Sequence, residues 1–437
     1  MIKPYYESSL GKLYCGESLE VLKIFPDNYV ETIITDPPYG LSFMGKKWDY
    51  EVPSVELWKE CLRVLKPGGT ALIFTGSRTQ HRMACNVEDA GFILKDCIMW
   101  LYGSGFPKSL NIGKAIDKLQ GNEREFVEKN PNDREVRENN LSDYGLQGGV
   151  GKGNITKGTS EWEGWGTALK PAYEPILVAM KQNDGSYAEN ALKWGVSGLN
   201  IDGSRIGTGE DKIKGGCINR KEKPDSAAKH ALGNQEVKDK CYSQGRFPAN
   251  IILDEEAGRL LDLQSGELKS GSMKKPYKYT NNGYSLGAPA GETKQIHESN
   301  TGGASRFFYC AKASKAERNR GCGGLEEKNI AYQVYRENVD GTKSFVSCYP
   351  DGSPRPMNKP KNNHPTVKPL KLIEYLCNLT KTPTGGTVLD LFAGSGTTGI
   401  ACEKLGRKWI LIEKEKEYCE ISAKRIESEA SQLKLFR

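Results

Sequence analysis

The run Val30-Glu31-Thr32-Ile33-Ile34-Thr35-Asp36-Pro37-Pro38-Tyr39 constrains the fold more than any other part of the chain. Its β-branched residues read as a short buried strand. The paired prolines forbid continuation, because neither can donate to a sheet ladder. A carboxylate, a stiff turn with a free backbone carbonyl and an aromatic ring are thereby set at a strand's C-terminal end. In an open α/β sheet that edge is where ligands bind. A second strand-then-turn stretch lies far downstream, Val388-Leu389-Asp390-Leu391-Phe392-Ala393-Gly394-Ser395-Gly396-Thr397-Thr398. Glycine there allows tight turning and close approach of a ligand to helix-start amides. No Gly-Lys-Ser/Thr follows, so the turn is not a Walker loop.

Helix and strand patterns alternate around both turns. Val55 to Leu65 has an amphipathic helical pattern stopped by Lys66-Pro67-Gly68-Gly69, and Thr70 to Thr75 then reads as a strand. A helix from about Arg78 to Ala90 and a strand near Ile93 to Leu101 continue the rhythm, which resumes as a strand within Lys170–Met180. After a helix over Leu370 to Leu379 come the strand Thr387–Leu391, a helix to Leu405, a strand ending on Glu413, and a closing helix from about Glu417. This alternation predicts an α/β fold with a Rossmann-like, mostly parallel sheet.

Two stretches break the pattern. Residues 117–163 are charged, rich in asparagine and glycine and poor in apolar residues, which predicts an extended insertion. Residues 181–363 combine glycines, scattered lysines and arginines, and interleaved aromatics, with two strand-like pieces at Gly245–Asp254 and Ser305–Ala313. Phosphate contact plus base stacking would need such a composition, and a solvated loop region shares it. The net charge of +7 permits a polyanionic partner without identifying one. No apolar run approaches membrane-spanning length, and the twelve cysteines include no C-x-x-C pair. The gaps between Cys310, Cys322, Cys348 and His364 match no compact zinc knuckle, so no metal is expected.

The two turns together resemble the catalytic and cofactor motifs of amino-group DNA methyltransferases, which make N6-methyladenine or N4-methylcytosine. Lys170-Pro171-Ala172-Tyr173-Glu174-Pro175-Ile176 and His364-Pro365-Thr366-Val367-Lys368-Pro369 are similar to further motifs of that family. With the catalytic turn first and the glycine turn last, the order resembles the permuted β class. RNA and protein amine methyltransferases usually place the glycine loop first. The resemblance implies S-adenosylmethionine as cofactor, held by Asp390, Phe392, Ala393, Gly394, Ser395, Gly396 and Thr397, with Glu413 on the ribose. It implies further contacts from Lys368 on the carboxylate side and from Glu17, which stands where the family usually has aspartate, near the adenine.

Asp36 and the carbonyl of Pro37 are then expected to accept the hydrogens of the target amine, Pro38 to stiffen the turn, and Tyr39 to stack on a flipped base. Cytosine C5 chemistry would need a cysteine nucleophile in a Pro-Cys element, and the chain has no Pro-Cys. Arg306, Lys312, Lys46 and Lys47 are the expected DNA contacts.

The expected organisation is a methyltransferase domain from residues 1–182 and 364–437, with a charged insertion near 103–165 and a target-recognition region over 183–363. The expected partner is double-stranded DNA, in the cytoplasm of a prokaryote or from a phage, with no membrane association. A homodimer is compatible with the resemblance, and a partner restriction nuclease is not readable from it. Adenine N6 is the expected target. The alternatives are cytosine N4, an RNA or protein amine, and a catalytically idle DNA-binding relative.

Overall fold

Ten strands join into one mixed sheet that carries both motif turns at the same edge. The structure is a computed structural model. It describes residues 2–41, 49–103, 105, 109–128, 155–207, 245–269, 277–278, 292–293, 301–311, 322, 335–337, 343–345, 362, 364 and 367–435. In chain order the strands are β1 (Tyr6–Glu7), β2 (Gly11–Cys15), β3 (Val30–Thr35), β4 (Leu65–Phe74), β5 (Ile93–Leu101), β6 (Tyr173–Met180), β7 (Ile251–Asp254), β8 (Tyr309–Ala311), β9 (Thr387–Asp390) and β10 (Lys408–Glu413). Their spatial order is β1-β2-β10-β9-β3-β4-β6-β5-β7-β8. The run β2-β10-β9-β3-β4 is parallel throughout, and so is β5-β7-β8. β6 is antiparallel to both its neighbours, β4 and β5, so its first residues lie at the edge where the parallel strands end.

The helices form a layer on each face. α1 (Ser18–Leu22), α2 (Val55–Val64) and α3 (Gln80–Asp89) cover one face, where Ile33, Ala71, Ile73, Leu389 and Ile410 are buried with Trp58 and Met83. α7 (Leu370–Leu379), α8 (Thr397–Leu405) and α9 (Lys416–Leu435) cover the other face, over Ile34, Leu72, Phe74, Val388 and Leu411. Neighbours in one strand, such as Ile33 and Ile34 or Leu72 and Ile73, thus serve opposite cores, as period-two geometry requires. α2 buries Leu57, Trp58, Cys61 and Val64, the i, i+3/i+4, i+7 stripe of a surface helix. α8 is buried almost all round because it lies between the sheet, α7 and α9.

Local signals explain the turns. Pro67-Gly68 lie inside β4, where its register against β3 shifts between Leu65 and Thr70; Gly68 has φ +73°, and a side chain there would collide with the buried Asn190. Asn190, on α5 (Tyr187–Trp194), donates to the carbonyls of Pro67 and Val196 at 2.8 and 2.7 Å and accepts from the Asp184 amide at 2.8 Å. The fully buried Arg407 donates to the carbonyl of Cys377 and the hydroxyls of Thr380 and Thr32, fastening the end of α7 to β3. No described helix is long and apolar enough to cross a membrane.

Two expectations change here. Within the strand-like pieces near 245–254 and 305–313, Ile251–Asp254 and Tyr309–Ala311 are strands, but they lengthen the main sheet: β7 pairs with β5, and β8 with β7. α6 (Glu255–Ser265) follows β7 directly, capped by the Asp254 side chain, which accepts the Ala257 amide at 2.6 Å. These strands look like part of a separate region in the sequence because the long stretch after β6 hides a pairing that is non-local. The charged insertion is not wholly extended either. It holds α4 (Ile112–Gln120), capped by the Asn111 side chain, and an antiparallel pairing of Glu125–Glu128 with Ile155–Lys157. Arg124 ties the two together through Asp117, Glu163 and Thr156.

Candidate active site

β3 and β9 are adjacent and parallel, so Asp36 and Asp390 emerge side by side at the ligand-binding edge. Thr35 Oγ1 donates to Asp390 Oδ1 at 2.8 Å, linking the two motif strands directly. After the prolines the chain is gathered by Asp49, whose buried carboxylate accepts the amides of Tyr39, Gly40 and Leu41 at 2.6, 3.1 and 3.3 Å. The glycines and lysines of this stretch suggest a mobile loop, and the sequence gives little sign of the anchor. Its one signal is an acid ten residues after the turn, and that signal is weak.

The glycine turn is held on both sides. The Gly394 amide donates to Glu413 Oε2 at 2.8 Å, and the Glu415 amide to Glu413 Oε1 at 2.8 Å. Ser422 and Arg425 of α9 close the turn from behind: Ser422 Oγ donates to the Gly394 carbonyl at 2.7 Å, and Arg425 to the carbonyl and hydroxyl of Ser395 at 2.6 and 2.7 Å. Gly394 and Gly396 have φ +52° and +77°, and a Cβ on Gly394 would lie 2.6 Å from His364 Nε2. Gly394, Gly396 and Gly399 follow G-x-G-x-x-G spacing, and Gly399 lets α8 approach Leu411 and Ile426 closely.

Burial dominates the electrostatics of this edge. It pushes the Glu413 carboxyl up to about 7, although the amides of Glu415 and Gly394 pull it down. It also pushes Asp390 up to about 6 against the hydroxyls of Thr398 and Thr35. A cavity of about 340 Å³ opens between the turns, lined by Asp36, Pro38, Asp390, Phe392 to Ser395, Thr397 and Glu413. Its size is that of a small-molecule site. Glu17 also lines it, ion-paired with Lys414 at 2.8 Å, and Ser18 Oγ holds α1 against the Leu391 carbonyl at 2.6 Å.

Around Asp36 lies a cluster drawn from three distant segments. Lys368 Nζ is 2.6 Å from Asp36 Oδ2 and 3.3 Å from Glu174 Oε2. The Tyr39 hydroxyl is 2.8 Å from Asp36 Oδ1 and 3.0 Å from Glu174 Oε2. Burial and then the two carboxylates hold the Tyr39 phenol well above its ordinary value. For Lys368 burial acts to lower the value, but Asp36 and Glu174 outweigh it and the ammonium is strengthened. Lys368 lines the cavity, as the sequence suggests, yet its ammonium faces these carboxylates in place of the expected cofactor carboxylate. Glu174 has no role assigned by the sequence. Its signal is an acid at the start of the apolar strand β6, meaningful only once β6 is known to run antiparallel.

The expected DNA contacts fare differently. Lys46, Lys47 and Lys312 lie outside the described residues. Arg306 precedes β8 and so lies at the opposite edge of the sheet from Asp36. Its guanidinium donates to the carbonyls of Gly302, Gly303 and Leu268. Arg306 therefore clamps a turn. Among the described residues no group of three His, Cys, Asp or Glu has the spacing of a metal site, and Cys348 lies outside them.

Comparison with known proteins places these features in one context. Residues 30–424 match the family model of N6/N4 methyltransferases, described as "DNA methylase". The Type II methyltransferase M2.DpnII of Streptococcus pneumoniae is 40% identical over 98 residues, 22% of this chain and 36% of that protein. M.HpaI of Haemophilus parainfluenzae is 43% identical over 119 residues, 25% of this chain and 37% of its own. These matches span little more than a third of either relative. Among solved structures, the PvuII DNA methyltransferase (cytosine-N4-specific) is 16% identical with a TM-score of 0.42, covering 97% of this chain and 89% of that one. The family match extends over both motif turns and nearly all the sheet between them, and the chain belongs to the N6/N4 DNA methylase family.

Proposed function

We propose that the chain transfers a methyl group from S-adenosylmethionine to an exocyclic base amine, adenine N6, in a specific sequence of double-stranded DNA. The observation that carries this reading is the opening of Asp36 and the glycine turn from neighbouring parallel strands into one cavity.

The residues present fit that cofactor. Glu413 ends β10 facing the cavity, as an acid does where it accepts ribose hydroxyls. Gly394 lines the cavity without a side chain, so a ligand can approach its backbone closely. Phe392, Ala393, Ser395, Gly396 and Thr397 complete the turn, and Glu17 borders the same cavity. The bound cofactor supplies an electrophilic methyl group.

The chain's own work is positioning. The Asp36 carboxylate and the Pro37 carbonyl accept the two amine hydrogens and orient the nitrogen lone pair, which is otherwise delocalised into the base. The Tyr39 ring is fixed by its hydroxyl and gives the base a face to stack on. Extracting a base from a duplex costs a few kcal/mol, and this stacking offsets part of it. The segment 183–363, with β7 and β8 anchoring it to the sheet, supplies target recognition in this reading. Double-stranded DNA is the partner, and a homodimer is compatible with the reading.

Adenine is preferred because aspartate heads the Asp-Pro-Pro-Tyr turn, as in most adenine-N6 enzymes that the sequence resembles. The second reading, N4-methylcytosine, is favoured by one observation: the matched family spans both amines. Incubating duplex DNA with protein and S-adenosylmethionine, then separating the digested nucleosides by mass, decides between them. N6-methyladenine is expected, and N4-methylcytosine alone would defeat the choice of base. Asp36→Ala should lose turnover by at least about 100-fold while binding S-adenosylmethionine nearly as wild type does. Undiminished turnover in that variant would remove Asp36 from the site.

A further inference from the structure

Both oxygens of Asp36 already hold a donor. Lys368 Nζ lies 2.6 Å from Oδ2 and the Tyr39 hydroxyl 2.8 Å from Oδ1, in a pocket that leaves the Lys368 side chain 12% exposed. A neutral amine is a weaker donor than an ammonium, since charge-assisted hydrogen bonds are roughly twice as strong. A base amine alone is therefore a poor competitor for the lone pair of Oδ2 that the ammonium holds. It competes only if the ammonium keeps a carboxylate as it moves away.

Glu174 is placed to be that carboxylate. Its Oε2 is 3.3 Å from Lys368 Nζ, and a shift of roughly half an ångström brings the pair to ordinary charge-assisted length. The aromatic surroundings do not oppose the move: Nζ lies 5.0 Å from the Phe74 ring centre and 5.5 Å from that of Tyr39. Two carboxylates, one ammonium and a neutral phenol leave the cluster with a net charge of −1, so Asp36 stays an anionic acceptor once the ammonium rests on its neighbour. Without Glu174 the same ammonium would neutralise Asp36. Glu174 reaches this place only because β6 is antiparallel, which puts its N-terminal end beside Asp36.

We propose that Lys368 and Glu174 are positioning residues that act as an exchange pair: the ammonium masks Asp36 in the base-free protein and passes to Glu174 when the target amine takes its place. The inference rests on the amine-methylation reading above.

The test is a ranking of turnover among wild type, Glu174→Gln and the double variant Glu174→Gln/Lys368→Met, with S-adenosylmethionine affinity measured by calorimetry in each. Glu174→Gln leaves the ammonium only Asp36, so kcat should fall at least tenfold while cofactor affinity stays within twofold. Removing the ammonium as well unmasks Asp36, so the double variant should recover at least tenfold over the single one. A purely structural cluster predicts the reverse, because the second change deletes a further buried contact. A double variant no faster than Glu174→Gln overturns the exchange. If the double variant fails to fold, Lys368→Gln replaces Lys368→Met and the same ranking is required. Wild-type protein that methylates no DNA overturns the proposed function and this inference together. Active wild type without recovery overturns the inference alone.

Discussion

Replacing Glu413 by glutamine separates what this residue does for the free protein from what it does for a ligand. Burial pushes its carboxyl from 4.5 to about 7. A carboxyl raised on folding contributes stability that is fully present below the unfolded value and is lost as pH rises through the folded one. Each tenfold change in proton affinity is worth about 1.36 kcal/mol, so wild type should lose about 2–3 kcal/mol of stability between about pH 5 and pH 8 through this group alone. Glutamine does not titrate and lacks that slope. It also keeps only one of the two backbone amides that Glu413 accepts, those of Gly394 and Glu415, a loss of about 1 kcal/mol at every pH. The variant should thus be slightly weaker than wild type near pH 5 and stronger by about 1–2 kcal/mol near pH 8. Asp390, raised to about 6, titrates in both proteins and largely cancels in the difference. Urea denaturation across that range measures it, and parallel curves would refute the burial argument. Binding should move the other way. Ribose hydroxyls stabilise the ionised carboxylate, so S-adenosylmethionine affinity should rise with pH in wild type and be weak and flat in the variant.

Three other perturbations test separate parts of the site. Gly394→Val puts a branched side chain at φ +52°, against His364, and should weaken S-adenosylmethionine binding by at least about 100-fold in calorimetry, roughly the loss of two good interactions. Asp49→Ala frees three amides after the catalytic turn and should lower kcat more than cofactor affinity; equal kcat would mean the turn holds its shape unaided. Arg306→Ala should leave DNA affinity and its salt slope unchanged while lowering the unfolding midpoint, because the guanidinium holds carbonyls at the far edge of the sheet. A shallower salt slope would mark it as a phosphate contact.

The catalytic and glycine turns are legible in the sequence because each is a local event. Two prolines end β3 whatever surrounds them, and glycines after β9 turn tightly for reasons contained within a few residues. The helices over 55–64 and 370–379 are legible for the same reason, since their apolar stripes have helical period. What the sequence could not decide depends on which strands become neighbours. That Asp36 and Asp390 share a cavity follows from the pairing of β3 with β9, made across more than 350 residues. The meeting of Glu174 with Lys368 depends on the direction of β6 and on where the start of α7 lies against it. Arg306 shows the same dependence: a basic residue beside aromatics is placed by the parallel pairing of β8 with β7 at the sheet edge opposite Asp36, which no local pattern announces. Composition identifies the types of group a site can use. Sheet order and direction decide which of them meet, because those are set by non-local burial that no short window of residues contains.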